Sequence, residues 1–140
     1  MHISQIINNF ATEKGNPIMK EYKARIADKI LSRRLKSVGA VLIQGPKWCG
    51  KTTTAEQPAQ SVVYMDDPEL IAQNIELAKL SPKNLLAGAT PRLIDEWQLA
   101  PQLWDAARFE IDHRDSLGQF IFTGSAVPAD TSNIHHTGTG

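Results

Sequence analysis

The stretch Gly45-Pro46-Lys47-Trp48-Cys49-Gly50-Lys51-Thr52 constrains this chain more than any other. It fits the pattern G-x-x-x-x-G-K-[ST], a phosphate-binding loop. In such a loop, successive backbone N–H groups face a phosphate and the next helix points its N-terminal dipole at the same anion. The flanks supply the required context. Ala40-Val41-Leu42-Ile43 is an uninterrupted apolar run of strand length, and a helix begins near Lys51, held to about two turns by Pro58. Gly45 and Gly50 let the backbone turn, Lys51 reaches the β- and γ-phosphates, and the Thr52 hydroxyl is suited to Mg²⁺. A nucleotide is therefore expected against Gly45, Pro46, Lys47, Trp48, Cys49, Gly50, Lys51, Thr52 and Thr53.

The remaining chain continues the alternation such a loop needs. Ser61-Val62-Val63-Tyr64-Met65 reads as a second strand, and Asp67-Pro68 as the N-cap and first residue of a helix to about Leu80. Ser81-Pro82 opens a shorter helix, stopped by Gly88 and Pro91. Arg92-Leu93-Ile94-Asp95 is a third strand. Pro101 opens a helix whose apolar face is Ala100, Trp104, Ala107 and Ile111, and residues 119–123 form a fourth strand. Upstream, Tyr22 to Ser37 is helical. Ile26, Ile30, Leu31, Leu35 and Val38 fall on one face of it, and Gly39 closes it. The sum is an α/β fold of the P-loop NTPase kind, a mainly parallel sheet flanked by helices. Residues 1–21 lack this periodicity and hold the turn Gly15-Asn16-Pro17, so they read as an N-terminal extension to a core domain spanning 22–140. No closing element is expected after residue 123, so the sheet stops before a fifth strand and lid. One edge of the phosphate-loop strand would then be bare.

Leu93-Ile94-Asp95-Glu96 is the second informative motif. An apolar strand ending in two carboxylates at the carboxyl edge of the sheet can hold Mg²⁺ through a bound water on Asp95. Glu96 is then free to polarise an attacking water. The fourth strand ends in Thr123-Gly124-Ser125, where a hydroxyl would either sense the γ-phosphate and hold the water or simply form a turn; Ser125 is the preferred candidate. The expected catalytic set is Glu96, Lys51 and Ser125, with Thr52 and Asp95 for the metal. Other residues take plainer readings. Asp67 is a helix cap rather than half of a metal pair with Asp66. Cys49 has no His or Asp partner nearby, and Trp48 reads equally as a base contact or a packing residue. His135-His136 lacks further ligand spacing, and Arg108 and Arg114 read as solvated surface charges.

Composition narrows the function classes. The 140 residues, 41% hydrophobic and 21% charged, suit one domain with its own core. No run approaches the roughly 18 apolar residues of a membrane span, and no basic-then-apolar leader opens the sequence. One cysteine allows no internal disulfide, which fits a reducing cytoplasm. The zero net charge hides a split: residues 1–38 carry eight basic and three acidic side chains, residues 39–140 seven and twelve. A solvated basic helix on a mildly acidic domain explains this. The sharper alternatives are nucleic acid, which no other feature supports, or a neighbouring acidic subunit in a homo-oligomer.

In order along the chain, Tyr22, Arg25-Ile26 and Asp28, the run from Gly39 to Ala55, Pro91-Arg92-Leu93-Ile94-Asp95-Glu96-Trp97-Gln98, Phe122-Thr123-Gly124-Ser125-Ala126 and His136-Thr137-Gly138-Thr139-Gly140 resemble the prokaryotic AAA+ type ATPases. More narrowly, they resemble the group whose ATPase domain precedes a nuclease-like C-terminal domain. The resemblance covers residues 22–140. It implies ATP and Mg²⁺ as ligands, an additional strand between the loop strand and the Asp-Glu strand, and Glu96 as the water-activating base. Members of that group continue past the Thr-Gly-Thr-Gly segment with an arginine, a fifth strand, a helical lid and the C-terminal domain. Without these, turnover is expected to be weak, since an arginine finger is worth about 10³–10⁵ in rate. Two rival readings remain: a nucleotide-binding remnant without turnover, and a small-molecule P-loop kinase, for which no arginine-rich lid is visible.

Overall fold

The computed structural model describes residues 3–7, 17–46 and 50–125. Along the chain run β1 (Ile3–Ile7), α1 (Pro17–Leu35), β2 (Ala40–Gly45), α2 (Lys51–Glu56), β3 (Ser61–Tyr64), α3 (Ile71–Leu80), α4 (Pro82–Leu86) and β4 (Arg92–Asp95). A single 3-10 turn (Trp97–Leu99), α5 (Gln102–Arg114) and β5 (Phe120–Ser125) follow. The strands form one parallel sheet in the order β1-β2-β5-β4-β3.

Strands that are apolar on both faces need cover on both faces, and this sheet has it. Ala40 and Leu42 of β2, Ile94 of β4, and Phe120 and Phe122 of β5 face a layer built from α3, α4 and α5. Val41, Ile43, Leu93 and Ile121 face the opposite way, onto Leu31 and Leu35 of α1 and Ala55 of α2. The α/β architecture expected from the sequence is present, with β5 wedged between the loop strand and the Asp-Glu strand.

Several local expectations need correction. The bare edge of β2 is covered: β1 pairs along it from Ile3 opposite Ala40 to Ile7 opposite Gln44. Part of the segment read as an extension is thus a fifth strand of the sheet, and α1 starts at Pro17 rather than Tyr22. In α1 it is Ala27 that is buried, while Ile26 is 42% exposed. Gly39 is not a left-handed cap. It is small because a Cβ there would lie 2.5 Å from Cγ2 of Ile111. Asp67 does not cap α3 either. Its carboxylate accepts the Glu69 N–H at 3.0 Å and its carbonyl accepts the Ile71 N–H at 2.8 Å, so it shapes the turn before the helix.

Candidate functional site

The carboxyl ends of β2, β5 and β4 bring the two motifs together. Register sets Ile43 opposite Thr123 and Gly45 opposite Ser125 on one side of β5, and Ile94 opposite Phe122 on the other. One residue further on, Thr123 Oγ1 donates to Asp95 Oδ1 at 2.6 Å. Thr52 Oγ1, from the first turn of α2, donates to the same oxygen at 2.8 Å. Thr123 Oγ1 also accepts the Glu96 backbone N–H at 3.1 Å.

Glu96 is held by a second set of donors. Ser125 Oγ donates to Oε1 at 2.8 Å, and Lys51 Nζ stands 3.8 Å from that oxygen. Gln98 Nε2 donates to Oε2 at 2.5 Å. Lys51 also donates to the Pro46 carbonyl at 3.3 Å. Lys51, Asp95, Glu96, Thr123 and Ser125 are all buried, so these charges act in a low dielectric and need one another.

Local backbone explains the placement. Gly50 sits at φ 92°, ψ 8°, a left-handed conformation that glycine adopts without strain, and its carbonyl accepts the first helical bond of α2 from Thr54 N at 3.0 Å. Gly45 is the last residue of β2, paired with Ser125. Thr53 is exposed, while Thr54 beside it is buried. Lys47, Trp48 and Cys49 lie outside the described residues, as do Ala126, His135-His136 and the segment 137–140. Glu96 holds φ 59°, ψ 51°. A glutamate in that region costs on the order of 1 kcal/mol, and such strain concentrates at working sites.

Asp95 is the electrostatically perturbed group. Burial pushes its carboxyl above the ordinary range; the Thr123 and Thr52 hydroxyls pull it back, and the charges of Glu96 and Asp66 push it up again. Asp66 thus reaches the site only as a neighbouring charge. Among the described residues, no group of three His, Cys, Asp or Glu is arranged to hold a metal. Arg114 is structural: it donates to Glu110 at 2.9 Å and to Gln119 at 3.2 Å and lies over the Phe120 ring. Arg108 makes only a loose 3.9 Å pair with Asp105 at the surface.

Sequence reading placed Lys51, Thr52, Asp95, Glu96 and Ser125 near one another, and the structure does bring them together. It undervalued Thr123, whose hydroxyl ties Asp95 to the Glu96 backbone. It missed Gln98 altogether. The only available signals were the i, i+2 spacing of Thr123 and Ser125, which puts both on one side of a strand, and the Glu96-Trp97-Gln98 order.

A family model described as an AAA domain matches residues 37–140. No curated protein and no solved structure matches the chain. Among the described residues, no helix is long and apolar enough to cross a membrane. The match takes in the loop, both carboxylates and the β5 hydroxyls, and the chain belongs to the AAA domain family, as a nucleotide-binding P-loop domain of the ATPase type.

Proposed function

We propose that the chain binds Mg·ATP at the loop and hydrolyses it with Glu96 as the base. The observation that carries this reading is the bond between the Thr52 hydroxyl and Asp95 at 2.8 Å, beside a buried Lys51 that contacts the Pro46 carbonyl and Glu96. Thr52 and Asp95 offer oxygen ligands of the hard kind that Mg²⁺ takes, and the desolvated Asp95 carboxylate gains from a neighbouring cation. Held by Thr52 and Asp95, Mg²⁺ would supply charge neutralisation for the phosphates. The chain does the rest. Lys51 turns its ammonium to the phosphates, the N–H groups at the start of α2 face the same anion, and Thr123 fixes Asp95. Ser125 steadies Glu96, whose carboxylate accepts the proton of the attacking water.

The same proposal includes the finer kinship, to the group with a nuclease-like C-terminal domain, which rests on the ordered motifs Asp95-Glu96-Trp97-Gln98 and Thr123-Gly124-Ser125. A cytoplasmic setting and self-association of the chain belong to it too.

Titration of a fluorescent ATP analogue with wild type and Lys51→Ala tests the binding step. Loss of one charged contact to phosphate should weaken affinity by about tenfold or more. Equal affinity would remove Lys51 from the site. Phosphate release measured with and without added small-molecule acceptors separates hydrolysis from a kinase reaction; release that depends on an acceptor would favour the kinase.

A further inference from the structure

Two buried polar atoms beside the site have no partner: the Trp97 indole Nε1 and the Gln98 side-chain oxygen Oε1. One is a donor and the other an acceptor, and both lie against the Cα of Gly124. A Cβ on Gly124 would lie 2.8 Å from Trp97 Nε1 and 3.4 Å from Gln98 Oε1. Gly124 stands between Thr123, which holds Asp95, and Ser125, which holds Glu96. The indole is fixed in turn by Trp104 and Phe122, at ring-centre distances of 5.1 and 6.4 Å. The other end of the Gln98 amide, Nε2, is already spent on Glu96 Oε2.

These facts point to one arrangement. We infer that Gln98 is a positioning residue for Glu96, and that Trp97 orients it, an approach that the missing side chain of Gly124 permits. A primary amide can present either its oxygen or its nitrogen to a given side, and only one choice serves Glu96. Trp97 N–H and Gln98 Oε1 make no direct bond; one water shared between them would satisfy both and so keep the NH₂ end on the carboxylate. Ser125 and Lys51 grip Oε1 of Glu96 and Gln98 grips Oε2, so the carboxylate plane is set from both sides. A side chain at 124 would push the indole off and break this orientation. The inference rests on Glu96 being the base, yet the orientation of Gln98 can be read without any turnover.

The test uses heteronuclear NMR of the whole nucleotide-free chain together with phosphate release. The Trp97 indole signal is the one lost in Trp97→Phe, a change that keeps an aromatic ring against Trp104 and Phe122. Gln98→Ala should shift that indole signal upfield and speed its solvent exchange, leaving the Trp104 indole in place. Trp97→Phe should in turn move the Gln98 carboxamide pair. In turnover, each variant should lower kcat by about ten- to hundredfold, the worth of one hydrogen bond to a charged group, with analogue affinity unchanged. The double variant should be no slower than the slower single one, because both changes break the same relay. An unmoved indole signal in Gln98→Ala, or losses that multiply in the double variant, would overturn the inference. Glu96→Gln separates the two levels. If it turns over like wild type, the role of Glu96 falls while the Trp97–Gln98 coupling still reads out. If it is slow and Gln98→Ala is normal, only the positioning role falls.

Discussion

Asp95 shows what a buried carboxylate costs and what it is kept for. Two hydroxyls converge on its Oδ1, but neither carries the full charge that burial calls for, and the ammonium nearby is directed at Glu96 instead. Asp95→Asn keeps an oxygen for both hydroxyls and removes the desolvated charge. It should therefore raise the unfolding midpoint of the nucleotide-free chain by the equivalent of about 1 kcal/mol while abolishing the Mg²⁺ dependence of nucleotide affinity. Calorimetry and titrations with and without Mg²⁺ check both halves; a less stable variant that still needs Mg²⁺ would contradict them. Tyr64 offers a second residue-scale expectation. Its hydroxyl donates to the Glu56 carboxylate, and that bond, with some burial and the charges of Glu56 and Asp95, raises the phenol from 10.0 to about 12. A folded pKa above the unfolded one means the contact contributes fully below pH 10 and fades as pH climbs towards 12. Glu56→Gln should return the phenol towards its ordinary value, as followed by ultraviolet absorbance. These residue-scale features divide by how local they are. Lys51, Thr52, Asp95 and Glu96 were legible because each belongs to a contiguous motif whose chemistry dictates residue type. The double duty of Thr123 and the grip of Gln98 were not, because both depend on how β5 and the turn after β4 settle against each other.

At the scale of elements, the apolar runs of β2, β4 and β5 announced themselves, since strands covered on both faces are apolar throughout. β1 did not. Ile3-Ser4-Gln5-Ile6-Ile7 is short, two of its five residues are polar, and it pairs with a strand far along the chain. Window-based reading cannot see such a partner. The onset of α3 failed for a different reason: Asp67-Pro68 carries genuine capping chemistry, but here the turn of residues 67–70 uses it and the helix follows. If β1 shields β2, removing residues 1–7 should expose a row of unpaired backbone groups beside the loop strand. The shortened chain should melt lower, by about 4 °C for each kcal/mol lost at this size. It should also sediment as larger species. An unchanged midpoint and a monomeric profile would mean that β1 contributes nothing to the edge.

Across the whole molecule, the charge split acquires a geometry. The basic residues of the first 38 positions lie largely on α1, in the layer with α2, while Glu69, Glu76, Asp105, Glu110, Asp112 and Asp115 accompany the layer on the other face of the sheet. The second layer also carries Lys79, Lys83, Arg108 and Arg114 and the first carries Asp28 and Glu56, so the separation of sign is partial, and self-association through it belongs to the proposal above. Any self-association should then weaken between low and high salt, because exposed charges are screened over about 8 Å at physiological ionic strength; sedimentation at two salt concentrations reads this, and salt-independent association would point to the apolar contacts instead. In the proposed function, the loop and the two carboxylates act as one hydrolytic site. The most direct test of this is steady-state phosphate release by wild type and Glu96→Gln, with ATP-analogue affinity measured on the same samples. Affinity should be unchanged and release slowed by about a hundredfold or more, the worth of a general base. Equal release by the two proteins would contradict it.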